Sequence, residues 1–118
     1  IAVALRGADV VARGLASARA DAQYWGRLVE TAVGAHLVSD PSVEVLYWRE
    51  GDREVDYVVR RGRSVLAIEV ASGRAQQGLA GIQAFMRRYG GARTLGVGAG
   101  GMALDEFLLT SPRDLLGT

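Results

Sequence analysis

Residues 54–73, EVDYVVRRGRSVLAIEVASG, decide how the chain folds. Two runs rich in valine flank a short arginine-rich segment that contains Gly62, and this pattern predicts two antiparallel strands joined by a tight loop. The first run carries Asp56 and the second carries Glu69, each among apolar neighbours. Acids at such positions are costly unless they are paired or bound to a ligand, so the hairpin is a candidate functional site.

Strand alternation predicts which side chains share a face of this hairpin. On that rule Glu54, Asp56 and Val58 lie together on the first strand, and Glu69 lies with Ala71 on the second.

The register between the two strands decides whether Asp56 and Glu69 meet. A loop of four residues, 61–64, places them directly opposite, and a loop of two, 61–62, places them diagonally on one face. A loop of three residues sends them to opposite faces. Two of the three simple registers therefore bring the carboxylates together.

Paired carboxylates at this position have two interpretations. About 5 Å apart, at an effective dielectric constant near 20, they repel by roughly 3 kcal/mol, and a divalent cation between them reverses the sign. Alternatively, both acids lie near strand ends, where they reach water or pair with an arginine.

The composition limits the kinds of site that the chain can form. It has no cysteine and one histidine, which excludes disulfides, thiol catalysis and cysteine-bound zinc. Carboxylates and carbonyls must hold any metal, which points to Mg²⁺ or Mn²⁺. His36 falls near the centre of an apolar helical stripe, which favours a hydrogen-bonded structural role over a ligand role.

The charge of the chain is nearly balanced, with 14 basic and 13 acidic residues. This balance argues against nucleic-acid binding by bulk charge. Arg60, Arg61 and Arg63 crowd the hairpin loop. Together with Arg74 they are candidate contacts to nucleic-acid phosphates, although a solvated loop is the simpler explanation.

Periodicity and turn signals predict the elements around the hairpin. The predicted helices lie near Ala8–Ala18, from an N-cap at Asp21 to an end near Ser39-Asp40-Pro41, over residues 76–89 and near Leu104–Leu109. The predicted strands are Val43–Glu50, Arg53–Arg60, Ser64–Val70 and Arg93–Val97.

The order of the main elements is helix, three strands, helix, strand. It predicts one α/β domain over residues 1–118 with a mixed central β-sheet. The last two strands, joined through a helix, form a right-handed parallel crossover, and helices cover both faces of the sheet.

Four stretches of the sequence carry a family resemblance: DAQYWGRLVETAVGAHLV (21–38), LYWREGDREVDYVV (46–59), VLAIEVASGR (65–74) and GMALDEFLLTSPRDLL (101–116). Their acidic residues follow an order that resembles the PD-(D/E)XK nuclease-like superfamily. The chain is more closely similar to the C-terminal domain of unknown function that follows the ATPase module in prokaryotic AAA+ ATPases. The resemblance implies a restriction-endonuclease-like core.

The resemblance also implies a metal site. Glu30 matches the helix glutamate, Asp56 the metal-binding aspartate and Glu69 the first residue of the E-x-K motif. With the backbone carbonyl of Val70, these acids would hold Mg²⁺ or Mn²⁺ for phosphodiester hydrolysis on DNA. Ala71 stands where the family carries its lysine.

Three explanations of Ala71 stay open on the sequence. The domain has lost the lysine naturally, the alanine was engineered, or a neighbour such as Arg74 or Gln76 takes over its role. Loss of a preorganised charge typically costs on the order of 10²–10³ in rate. The alternative function is a non-catalytic module of the same fold for interaction, oligomerisation or nucleic-acid binding.

The resemblance places this chain, which begins at Ile1, behind an AAA+ ATPase module of the same protein. No Walker A motif is present, so we expect no nucleotide on this part of the protein, and we expect any homo-oligomer to form through the full-length chain. No apolar run approaches the ~20 residues of a membrane span, and the expected location is the cytoplasm.

Overall fold

A computed structural model of the chain describes residues 2–7, 24–71, 75–98 and 100–117. The strands are β1 (Ala2–Ala4), β2 (Glu44–Glu50), β3 (Arg53–Arg61), β4 (Ser64–Ala71) and β5 (Arg93–Gly98). The helices are α1 (Tyr24–Val38), α2 (Ala75–Arg88), α3 (Leu104–Leu109) and α4 (Pro112–Leu116). None of the helices in these ranges is long and apolar enough to cross a membrane.

The five strands form one mixed sheet in the order β1-β2-β3-β4-β5. The first four pair antiparallel, and β5 runs parallel to β4 after the crossover through α2. This arrangement confirms the predicted α/β class, the mixed sheet and the parallel pairing of the last two strands.

Two features at the ends of the chain differ from the prediction. Strand β1 was not predicted, because its short alanine-rich sequence has little β-propensity; it forms by pairing with the edge of β2, where Ala2 lies opposite Trp48. Helix α4, which begins at Pro112 after the last predicted helix, was not predicted either. The helix predicted near Ala8–Ala18 and the N-cap at Asp21 lie outside the described residues.

Both hairpins of the sheet close with two-residue turns that need glycine. Gly51 and Gly62 have φ of 63° and 60°, the left-handed region that L residues with side chains adopt at a cost. The Gly51-Asp52 turn joins β2 to β3, as predicted, and the Gly62-Arg63 turn joins β3 to β4.

Helices cover both faces of the sheet and create two separate cores. On one face, Val33 and Leu37 of α1 pack with Phe107 of α3 against the sheet. On the other, Ile82 and Phe85 of α2 pack against the opposite side. We call these the α1 face and the α2 face. The prediction that helices flank the sheet on both sides is confirmed.

His36 connects α1 to Thr110, the residue that follows α3. Its ring Nε2 lies 2.6 Å from the carbonyl oxygen of Thr110, and the ring contacts Phe107 edge-on with centroids 5.2 Å apart. The hydrogen-bonded structural role predicted for this histidine is confirmed.

Candidate functional site

The register of the β3–β4 hairpin bears directly on the paired acids. Arg60 lies opposite Val65, and the regular pairing ends at Tyr57 and Ile68. If the pairing continued by one more residue, Asp56 would lie opposite Glu69. This is the register that was predicted for a four-residue loop over residues 61–64. The pairing stops one residue short of the acids, because β3 is irregular at that point.

A β-bulge interrupts β3 at the predicted site. Leu46 pairs with Val58 and Trp48 pairs with Val55, so one residue of β2 faces the two residues Asp56–Tyr57 of β3. A bulge of this kind breaks the alternation of side chains and redirects those that lie at it.

The bulge overturns one prediction about strand faces. Val55 and Val58, three residues apart, both pack in the core on the α2 face. Simple alternation would put them on opposite faces. The expectation that Glu54, Asp56 and Val58 share one face is therefore wrong.

Asp56 lies near a tyrosine that the sequence analysis did not assign to the site. The Tyr47 hydroxyl donates a hydrogen bond to the Glu54 carboxylate at 2.6 Å. Burial raises the pKa of Tyr47, the bond to Glu54 raises it further, and the negative charge of Asp56 adds to the effect. Asp56 therefore lies close enough to Tyr47 and its partner Glu54 to act on them electrostatically, a proximity that no local sequence motif predicts.

Glu30 occupies the sheet-facing side of α1. It lies one turn before Val33 and two turns before Leu37, both fully buried on the α1 face. Its carboxylate pairs with the Arg27 guanidinium at 3.1 Å, and its backbone carbonyl accepts a hydrogen bond from the Tyr57 hydroxyl at 2.9 Å. The helix glutamate is thus held on the α1 face.

Glu69 occupies the other face of the sheet. Its neighbours Ile68 and Val70 pack on the α1 face, whereas Ala67, two residues earlier, packs on the α2 face. By alternation Glu69 shares the α2 face with Ala67. Burial raises the pKa of its half-buried carboxyl.

Ala71, the degenerate lysine position, follows Glu69 on the same face at the end of β4. In the parallel ladder it lies opposite Gly98, and a Cβ on that glycine would lie 3.4 Å from the Ala71 methyl group. The Val70 carbonyl, the predicted backbone ligand, belongs to the same ladder, in which Val70 lies opposite Val97.

The structure therefore divides the predicted acids between two faces. Glu30 lies on the α1 face and Glu69 on the α2 face, so these two do not fit a single metal site in this arrangement. Within the described ranges, no group of three or more His, Cys, Asp or Glu side chains is placed to hold a metal ion. The Mg²⁺ or Mn²⁺ site stays a prediction.

The arginines predicted to contact nucleic acid differ in how free their charge is to bind a phosphate. Arg60 binds the Glu44 carboxylate through Nη2 and through Nε, the latter at 2.8 Å, which offsets its charge. Arg61 and Arg63 are exposed at the hairpin turn. Arg74 lies outside the described residues.

Comparison with known protein families gives a match over most of the chain. Residues 25–105 match the family described as Domain of unknown function (DUF4143), and the match covers more than half of the chain. No curated protein matches the chain. No solved structure matches it either.

Proposed function

The chain belongs to the DUF4143 family, and we propose that it is a nuclease-like domain without nuclease activity, which serves as an interaction module for an AAA+ ATPase in the same protein. On this proposal the domain shares ancestry with the nuclease-like superfamily, as the sequence resemblance implies. Its present role is to bind a partner and not to hydrolyse DNA.

The position of the acids carries this proposal. In a metal-dependent nuclease the carboxylates hold ions beside one scissile phosphate, where the ions activate water and neutralise charge. Here Glu30 lies with Val33 on the α1 face, and Glu69 lies with Ala67 on the α2 face. A sheet separates the two, so one ion cannot use both.

The residue at position 71 supports the same conclusion. A methyl group neither orients a water nor stabilises developing negative charge, whereas the lysine of the resembling family would do both. The chain contains no lysine at any position, since all 14 of its basic residues are arginine.

The exposed apolar side chains support a role in binding. Leu109 of α3 is 88% exposed and its neighbour Leu108 is also exposed. Exposed leucines next to one another on a short helix are suited to contact with another protein surface. An ATPase module in the same chain is the partner that the family resemblance suggests.

A second candidate function, weak metal-dependent hydrolysis, has one observation in its favour. The β3–β4 register leads towards a direct pairing of Asp56 with Glu69. A rearrangement of the bulge in β3 could restore that pairing, and the two acids could then share an ion.

The decisive experiment restores the missing lysine. We expect that neither the chain nor Ala71→Lys cleaves plasmid DNA with Mn²⁺, because a lysine does not reunite acids on two faces. Ser64→Lys, at the exposed first residue of the same strand, controls for added positive charge. Cleavage by Ala71→Lys that Asp56→Asn and Glu69→Gln both abolish would establish the hydrolytic function instead.

The interaction function needs its own measurement. In the full-length protein, deletion of this domain should reduce assembly or partner binding, measured by light scattering and pull-down with the ATPase module supplied separately. Leu109→Ser should weaken the contact while the domain stays folded. Unchanged assembly and binding after deletion would contradict the proposal.

A further inference from the structure

A cavity of about 350 Å³ opens on the α2 face, at the end of the sheet where α2 terminates. Leu46, Trp48 and Val58 of the sheet form its floor. Its size lies within the ~300–1,000 Å³ that is usual for small-molecule sites. The acids considered above play no part in its lining, and Ala71 stands at the opposite end of β4.

Aromatic side chains form one wall of this cavity. Phe85 contacts Trp48 edge-on at 5.3 Å between centroids, and it also contacts Tyr89 at 4.9 Å. Trp48 and Phe85 are buried, whereas Tyr89 is 45% exposed. The cavity therefore offers rigid apolar surface inside and an amphipathic ring at its entrance.

Two exposed glycines, Gly90 and Gly91, line the cavity. A Cβ built on either would meet no atom within 4 Å. Neither has a positive φ, unlike four other glycines of the described residues. Backbone conformation does not require glycine at these two positions, and the effect of the missing side chains is space.

The rim of the cavity is positively charged. Arg60 and Arg63 both line it, but Glu44 offsets the charge of Arg60. Arg63, exposed on the hairpin turn, pairs with no carboxylate in the described part of the chain. Arg87 and Arg88, in the last turn of α2, do not line the cavity, and Arg88 lies 3.8 Å from the Glu50 carboxylate.

We infer that this cavity binds a small molecule with an apolar body and one carboxylate group. The body lies against Trp48 and Phe85, where burial of apolar surface drives binding. The carboxylate lies at the rim, where Arg63 has a free guanidinium for a bidentate contact. The inference is independent of the proposed interaction function, since it concerns another part of the surface.

A pair of matched ligands tests this inference. Decanoate and 1-decanol share an aliphatic chain and differ in charge, so their comparison isolates the carboxylate. We expect decanoate to bind saturably below about 1 mM, with NMR shifts of the Trp48 indole and of the Gly90 and Gly91 amides, and decanol to bind more weakly.

Substitutions at two arginines near the same turn distinguish a specific contact with the carboxylate from a general effect of positive charge. Arg63→Ala should weaken decanoate binding about tenfold, as expected for loss of a charged hydrogen bond, and leave decanol binding unchanged. Arg61→Ala removes an exposed charge next to the same turn but outside the cavity, and it should change neither. Equal effects of both variants would overturn the role of Arg63.

Two glycines provide the corresponding test of the cavity itself. Gly91→Leu adds a bulky apolar side chain to the cavity lining and should abolish binding of both ligands. Gly96→Leu also adds a side chain where no atom lies within 4 Å, but away from the cavity. This control variant should bind both ligands normally. Circular dichroism verifies folding of each variant. Unchanged decanoate binding by folded Gly91→Leu, or no saturable binding by the original chain, would overturn the inference.

Discussion

Asp40 shows how much one buried side chain contributes to joining distant segments. It is 7% exposed, and it accepts hydrogen bonds from Arg113 at 3.0 and 3.1 Å. It also accepts bonds from the Ser42 backbone and hydroxyl at 2.9 and 2.7 Å. This network joins the end of α1 to α4, across 73 residues of sequence.

The stability of the fold should depend on the ionisation of Asp40. The hydrogen bonds from Arg113, followed by those from Ser42, hold its pKa well below the usual range. A depressed carboxyl pKa stabilises the folded state above the unfolded pKa of about 3.9, and this contribution is lost as pH falls through the folded value.

We therefore expect the Tm to fall steeply below about pH 4, and to fall less steeply in Asp40→Asn. Thermal melts from pH 7 to pH 2 measure the difference. Asp52→Asn, at a side chain that is 92% exposed, is the matched control and should keep the original pH profile. Identical profiles for all three proteins would contradict this account.

At the scale of elements, the close approach of α2 to β3 depends on Gly81. A Cβ at this position would lie 1.9 Å from the carbonyl oxygen of Glu54, far inside contact distance. Helix α2 can therefore lie flat on the bulged part of β3, next to the pairing of Trp48 with Val55.

We expect Gly81→Ala to destabilise the fold by about 1–3 kcal/mol. The clash with a backbone oxygen should outweigh the ~1 kcal/mol that alanine adds in helix propensity. Urea denaturation measures the change. Gly90→Ala, whose Cβ would meet no atom within 4 Å, should leave stability the same or slightly higher. A stabilised Gly81→Ala would show that the helix shifts freely.

On the scale of the whole molecule, a single sheet is shared by two cores. Phe107 is fully buried on the α1 face, and Phe85 is buried on the α2 face. Strands β3 and β4 contribute side chains to both cores, for example Val59 to the first and Val58 to the second. Neither core can come apart without exposing strands that support the other.

Removal of either aromatic ring should therefore weaken one common transition. We expect Phe107→Ala and Phe85→Ala each to cost about 3–5 kcal/mol, with tryptophan fluorescence and far-UV circular dichroism reporting coincident unfolding. Leu109→Ala, at an 88% exposed position, should change stability by less than ~0.5 kcal/mol. Separate transitions for the two faces would show that the cores unfold independently.

The sequence predicted best those structural features that depend on residues close together in the chain. The turn at Gly51-Asp52 and the helical stripe through Val33 and Leu37 are local patterns, and both are confirmed. Strand β1 was not predicted because pairing with β2 stabilises it, whereas its own alanines have little β-propensity. The sequence identified Asp56 and Glu69 as candidate acids, and both are half-buried. The placement of Asp56 depends on a bulge that the local sequence V-D-Y does not predict.

By itself, the sequence determined most of the elements, their order and the identity of Ala71 at the degenerate lysine position, because periodicity, turn chemistry and residue type are local properties. Only the tertiary structure decided which face each acid occupies. Val55 and Val58 both enter the α2-face core, while Tyr57 reaches the Glu30 carbonyl on the α1 face. These contacts come from different parts of the chain and accompany the bulge in β3, which changes the position of Asp56. Glu30 and Glu69 lie on opposite faces because α1 packs on one side of the sheet and regular alternation in β4 turns Glu69 to the other.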